Sequence, residues 1–191
     1  MFKIAVCGGI GTGKSEVMKI LASKGYDVLS MDEINKELLS NSEYIDLIAS
    51  NFPDVVLDGV IDKKALKKVI FNDENKRLLL NNLSHNRILN IFKQYNFNEK
   101  KYLFVEVPLI IESNMVGMFD KLWAVRSSKT VRVARIMKRD GVSKEFAKKI
   151  LSIQNKEEMV YSIANAIILN NGDVDKLHIE IEKQLSLLPK F

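Results

Sequence analysis

The chain alternates short, nearly continuous apolar runs with longer stretches whose apolar residues recur three and four positions apart. Phe2 to Cys7 forms the first run, the pattern of a strand buried on both faces, and Tyr26 to Ser30 forms the second. Between them, Lys14 to Lys24 follows helical spacing. Asp32 to Leu39 predicts another helix, and from Ser42 to about Gln94 nearly everything reads as helix, broken most clearly at Pro53-Asp54 and Asp58-Gly59. Lys101 to Val107, Lys121 to Val125 and Ala166 to Leu169 supply a third, fourth and fifth strand. Lys129 to Arg139 and Ser143 to Asn155 predict helices separated by Asp140-Gly141, and Val174 to Leu187 predicts a last one before Pro189. No repeat, low-complexity tract or flexible linker interrupts the pattern.

Five short strands separated by helices predict an α/β fold in which a parallel sheet is covered on both faces. Ligands of such sheets sit at the carboxyl ends of the strands, so the long helical interval between the second and third strands is an insertion above that edge, placed to hold a second substrate. The 191 residues suffice for one domain with elaborations. A content of 47% apolar and 28% charged residues is that of an ordinary globular chain. The longest near-apolar stretch, Tyr102 to Ile111, contains Glu106 and Pro108 and falls far short of the ~20 residues of a membrane span. Without a signal-peptide pattern at its start, the protein is expected in the cytoplasm, away from membranes.

Cys7 is the single cysteine, which excludes an internal disulfide and suits a reducing compartment; its place in the first strand predicts a core residue rather than a nucleophile. His85 and His178 are too few for a histidine-rich metal site. The net charge of +5 is compatible with nucleic acid or with a polyanionic small molecule. The basic residues are scattered over several helices with no block interleaved with aromatics, so a nucleic-acid partner is not expected.

The sharpest chemical signal is GGIGTGKS, Gly8 to Ser15, directly after the first strand. Gly8, Gly13, Lys14 and Ser15 occupy the defining positions of G-x-x-x-x-G-K-[ST], and Gly9, Gly11 and Thr12 complete the loop. Glycines let backbone N–H groups converge on phosphate oxygens, and the helix start at Lys14 adds a favourable dipole. Lys14 is placed to reach the terminal phosphates and Ser15 to ligate Mg²⁺, so ATP with Mg²⁺ is the expected pair. The guanine-reading pattern N-K-x-D is absent, since Asn155-Lys156 is followed by Glu157-Glu158. Asp32, just past the second strand, is placed either to accept the proton of an attacking hydroxyl or to cap a helix. Arg132, Arg135 and Arg139 share one face of their helix, apart from the apolar stripe of Val133, Ile136 and Met137. Such a face is either solvated or, beside a triphosphate, part of a lid that neutralises the transferring group.

Taken in order, VCGGIGTGKS, the Asp32 motif, SHNRI, VEVPLIIES, RIMKRDGVS, KILSIQNKEE and ANAIILNNG resemble the dephospho-coenzyme A kinase family over essentially the whole chain. The resemblance implies transfer of the ATP γ-phosphate to the 3′-hydroxyl of dephospho-coenzyme A, the last step of coenzyme A synthesis. It implies a P-loop kinase-type five-stranded parallel sheet flanked by helices, with a helical substrate-binding insertion and a small helical lid. The expected boundaries are a core of residues 1–31, 99–128 and 157–191, an insertion of 32–98 and a lid of 129–156, in a protein acting as a monomer. It further implies that Gly11 to Glu16 contact ATP together with Arg135 and Asn170, that Asp32 is the acceptor-side base, and that Arg139 belongs to the lid. By the same resemblance His85, Pro108 and Leu109 lie at the acceptor, Glu112 closes the post-strand motif and Gln154 is the lid-end glutamine. The chain departs from the family pattern at Glu16, Ser30, Asn86, Leu89, Glu106 and Asn165; Glu106 keeps a carboxylate able to stand behind Mg²⁺. Another nucleoside or nucleotide kinase and a catalytically silent nucleotide-binding regulator are the alternative readings.

Overall fold

A computed structural model describes residues 1–94, 101–153 and 157–190, without the side chains of Phe71, Leu89, Phe92, Lys93, Gln94 and Ile153. In chain order the elements are β1 (Phe2–Cys7), α1 (Lys14–Ser23), β2 (Asp27–Ser30), α2 (Met31–Leu38), α3 (Ser42–Asn51), β3 (Val56–Leu57), β4 (Val60–Ile61), α4 (Lys63–Asn72) and α5 (Glu74–Gln94). They continue with β5 (Tyr102–Glu106), β6 (Lys121–Arg126), α6 (Lys129–Asp140), α7 (Lys144–Ile153), α8 (Glu157–Ile163), β7 (Ala166–Leu169) and α9 (Val174–Ser186). The chain divides into two compact units, one of Met1–Ser30 with Phe97–Phe191 and one of Met31–Asn96.

The first unit is built on a five-stranded sheet of order β2-β5-β1-β6-β7 with every pair parallel. Its central strands are the apolar runs of the sequence: Ile4, Ala5, Val6 and Cys7 of β1 are fully buried, as are Leu103, Phe104 and Val105 of β5. Strands buried on both faces need helices on both, and α1 and α9 close one core with Val17, Leu21, Leu177 and Ile181 around Phe104 and Trp123, whose rings lie 5.1 Å apart. A smaller cluster joins α6 to α7 through Val133, Ile136 and Ala147. Because β1 is central, its carboxyl end delivers the glycine loop to the middle of the sheet edge.

The second unit carries α2 to α5 and buries Tyr44, Ile48, Phe52, Val55, Ile61, Leu66 and Ile88. Asn41 caps α3 by accepting from the Tyr44 amide, and Asp62 caps α4 by accepting from those of Lys64 and Ala65. The break expected at Asp58-Gly59 is an antiparallel hairpin, Val56 opposite Ile61 and Leu57 opposite Val60, rather than a gap between helices. Asp58 and Gly59 both take positive φ (51° and 74°), as a two-residue hairpin turn requires. The seven-residue α8 lies outside the predicted helices, whereas the helix expected to run to Asn155 is described to Ile153. Among the described residues no helix is long and apolar enough to cross a membrane.

Candidate active site

The glycine loop is shaped by what packs against it. At Gly13, which precedes α1 with φ 91°, a Cβ would lie 2.2 Å from the Asn170 amide nitrogen; at Gly9 it would lie 2.0 Å from a Glu157 carboxylate oxygen. At Gly13 the positive φ strains any side chain as well, whereas at Gly9 a side chain would have to displace the Glu157 carboxylate and the Arg132 guanidinium. Thr12, fully buried, donates its hydroxyl proton to the Gly9 carbonyl at 2.9 Å and closes the turn from inside. Lys14 donates to the carbonyls of Gly8 (3.0 Å) and Gly9 (3.2 Å), so its ammonium is held over the loop where terminal phosphates would sit.

Two arginines of α6 back the loop. Arg135 donates to the carbonyls of Gly11 (3.2 Å), Thr12 (3.1 Å) and Asn170 (3.2 Å), and to the Asn170 side-chain oxygen at 2.8 Å. Asn170, only 3% exposed, donates in turn to the Thr12 carbonyl at 3.1 Å. Burial draws the Arg135 guanidinium below its ordinary value, with the charge of Glu16 opposing. Arg132 is 5% exposed and donates through Nε to the Ile10 carbonyl at 2.8 Å and through both terminal amines to Glu157 of α8, at 2.6 and 2.5 Å. Sequence spacing found the arginine face but not its divided use: Arg132 and Arg135 pack on the loop, while Arg139 is exposed and holds Asp140 through two bonds at 2.6 and 2.8 Å. That pairing raises the Arg139 value and lowers that of Asp140.

Oxygen ligands for a hard cation meet at the first turn of α1. The Ser15 hydroxyl donates to both carboxylate oxygens of Glu106, the last residue of β5, at 3.3 and 3.4 Å. A hydroxyl and a carboxylate at the phosphate-binding end fit Mg²⁺, which keeps several waters and takes few protein ligands. Among the described residues no group of three or more His, Cys, Asp or Glu is arranged to hold a metal. Cys7, behind the loop, donates to the Trp123 carbonyl at 3.4 Å, and burial pushes its thiol up to about 12.

Pro108 and Leu109, directly after β5, line a cleft with Gly8, Gly9, Glu112, Glu157 and Val160. In the second unit Asp32 is the second residue of α2 and exposed, so the helix begins before it and the cap reading does not hold for its side chain. His85 is half-buried in α5, next to Ser84, whose hydroxyl lies 2.8 Å from the Tyr44 hydroxyl. Gln154 lies outside the described residues.

A central β1 feeding G-x-x-x-x-G-K-S into a helix, inside a parallel sheet of this order, places the molecule among the P-loop kinases. Comparison with known proteins narrows the class. The family model for dephospho-CoA kinase matches residues 2–176. A dephospho-CoA kinase of Fusobacterium nucleatum is 34% identical over 183 residues, covering 94% of this chain and 95% of that protein. A crystal structure from Thermus thermophilus superposes with a TM-score of 0.80 at 28% identity, covering 99% of this chain and 98% of the other. A dephospho-CoA kinase from Campylobacter jejuni gives a TM-score of 0.62, also at 28% identity, over 96% and 95% of the two chains. The chain belongs to the dephospho-CoA kinase family.

Proposed function

We propose that the protein transfers the γ-phosphate of ATP to the 3′-hydroxyl of dephospho-coenzyme A, releasing ADP and coenzyme A. The observation that carries this reading is the family match over residues 2–176, which spans the braced glycine loop and Asp32 alike. The acceptor oxygen attacks the γ-phosphorus, the bond to the β-bridging oxygen breaks, and its electron pair leaves with ADP. Lys14 turns from the Gly8 and Gly9 carbonyls to the β- and γ-phosphates, while the loop N–H groups hold the chain in line. Ser15 would be a direct ligand of an ATP-bound Mg²⁺ and Glu106 would stand behind it, the ion when bound supplying charge neutralisation.

Asp32 orients the acceptor hydroxyl and takes its proton late, because the transition state is loose. His85, Pro108 and Leu109 contact the acceptor, the segment 32–98 forms its binding insertion, and 129–156 is the lid that carries Arg139. Arg135 and Asn170 lie at the nucleotide. The protein works as a monomer in the cytoplasm. ATP consumption against a panel of dephospho-coenzyme A, adenosine, AMP and CMP tests the reading. A dominant kcat/KM for dephospho-coenzyme A is expected; dominance of another acceptor makes it a different kinase, and turnover of none makes it a nucleotide-binding regulator.

A further inference from the structure

The Arg132–Glu157 pair is nearly buried beside the phosphate loop, with Glu157 at the start of α8. Its side chains are 6% and 19% exposed, and its carboxylate lies against the phosphate loop, 2.0 Å from where a Gly9 Cβ would be. A carboxylate in that position is adverse to an anion site, since ATP brings several negative charges to the same backbone. Arg132 answers it with both terminal amines and still gives Nε to the Ile10 carbonyl. Its backbone also lies under the loop, the carbonyl 3.1 Å from where a Gly11 Cβ would be.

We propose that Arg132 is a positioning residue of the phosphate site, cancelling the carboxylate that α8 sets against Gly9 and fixing the Gly9–Ile10–Gly11 backbone that receives the phosphates. Arg132 lies near the start of the expected lid of 129–156 and Glu157 directly follows its end, so the same contact ties the lid's base to the loop. The inference rests on the phosphate-loop reading of the site and not on the identity of the acceptor.

The roles of the two partners are unequal, and that makes them separable from a plain structural ion pair. Arg132→Gln leaves an uncompensated carboxylate at the loop, and ATP affinity should fall on the order of tenfold to a hundredfold. Glu157→Gln leaves an arginine still held by Ile10 and an amide oxygen, with no negative charge; ATP affinity should change by less than about threefold. The double variant Arg132→Gln/Glu157→Gln removes the carboxylate and should recover most of the loss.

The experiment is calorimetric titration of each purified chain with Mg²⁺·ATP in the absence of acceptor, beside its thermal midpoint. Arg132→Gln binding ATP as tightly as wild type, or a double variant no better than Arg132→Gln, overturns the proposal. Equal falls in thermal midpoint for both single variants with ATP affinity unmoved would show a structural pair only, which also overturns it. Should Arg132→Gln not fold, Arg132→Lys carries the test, since lysine meets the carboxylate but lets go of Ile10; a several-fold loss of ATP affinity is expected, and no loss overturns the proposal. A wild-type chain that binds no ATP removes the phosphate-site reading itself, whereas use of a different acceptor leaves the test intact.

Discussion

Asp32 stands one position inside α2, and that position separates a capping role from a chemical one. A carboxylate in the first turn is favoured by the helix dipole, a contribution of tenths of a kcal/mol that asparagine largely forgoes without unfolding anything. Loss of a general base is far larger, typically ~10²–10⁴-fold in rate. Asp32→Asn should therefore lower kcat by roughly that factor while ATP affinity and thermal midpoint stay put; a folded variant turning over near the wild-type rate would remove Asp32 from the mechanism. Cys7 offers a different test. Its thiol is held protonated up to about 12 in the folded chain by burial, against the ordinary value of 9.0, with Lys14 and a backbone hydrogen bond pulling the other way. Between those values the unfolded chain binds fewer protons than the folded one, so the contribution is full below pH 9.0 and is lost as pH rises towards about 12. Urea midpoints measured from pH 8 to 10.5 should decline more steeply in wild type than in Cys7→Ala. Lys14, Ser15 and Cys7 were legible in the sequence because motif and strand fix their places locally. Arg132 was not, because its meaning depends on Glu157, a partner from a helix 25 residues away that no spacing rule connects to the loop.

At the scale of elements, the strand order turns separate sequence signals into one edge. Glu106 ends β5 opposite Val6 of β1 and Ser30 of β2, and this register carries its carboxylate to Ser15 on the first turn of α1. Glutamate thus reaches the Ser15 hydroxyl from the strand end. Glu106→Gln keeps the shape and removes the charge, and should raise the Mg²⁺ concentration for half-maximal activity by about tenfold, the lower range for groups that support a metal ligand. A Mg²⁺ titration at fixed ATP checks it, and an unchanged curve would detach Glu106 from the metal. The central strands β1, β5 and β6 were readable because burial on both faces makes them nearly continuous apolar runs. The β3–β4 hairpin was not, since two residues per strand are too few to show alternation, and the flanking helical spacing masks them. Nor was α8: within its seven residues Val160 is buried, but Met159 and Ile163 are 54% and 43% exposed, which blurs any apolar stripe.

For the whole molecule, the proposed function assigns the acceptor to the compact unit of Met31–Asn96 and the nucleotide to the sheet unit. A kinase must bind two substrates independently and shield the transfer from water, so acceptor and nucleotide should order different parts of the chain. Hydrogen exchange reads this directly, because amides slow where a ligand suppresses local opening. Dephospho-coenzyme A should protect amides of residues 33–98, whereas ATP should protect the loop from Gly8 to Ser15 and the segment 129–156, where Arg135 braces Gly11 and Thr12. Within that segment the base of α6, already tied to Ile10 and Glu157 through Arg132, should be slow without ligand, and the region around Arg139, whose guanidinium is exposed and paired with the adjacent Asp140, should gain most. ATP slowing Arg139 no more than Arg132 would contradict a lid that closes from a fixed base. Protection confined to the glycine loop with either ligand would contradict the division itself, since an acceptor that leaves residues 33–98 untouched is not bound by them.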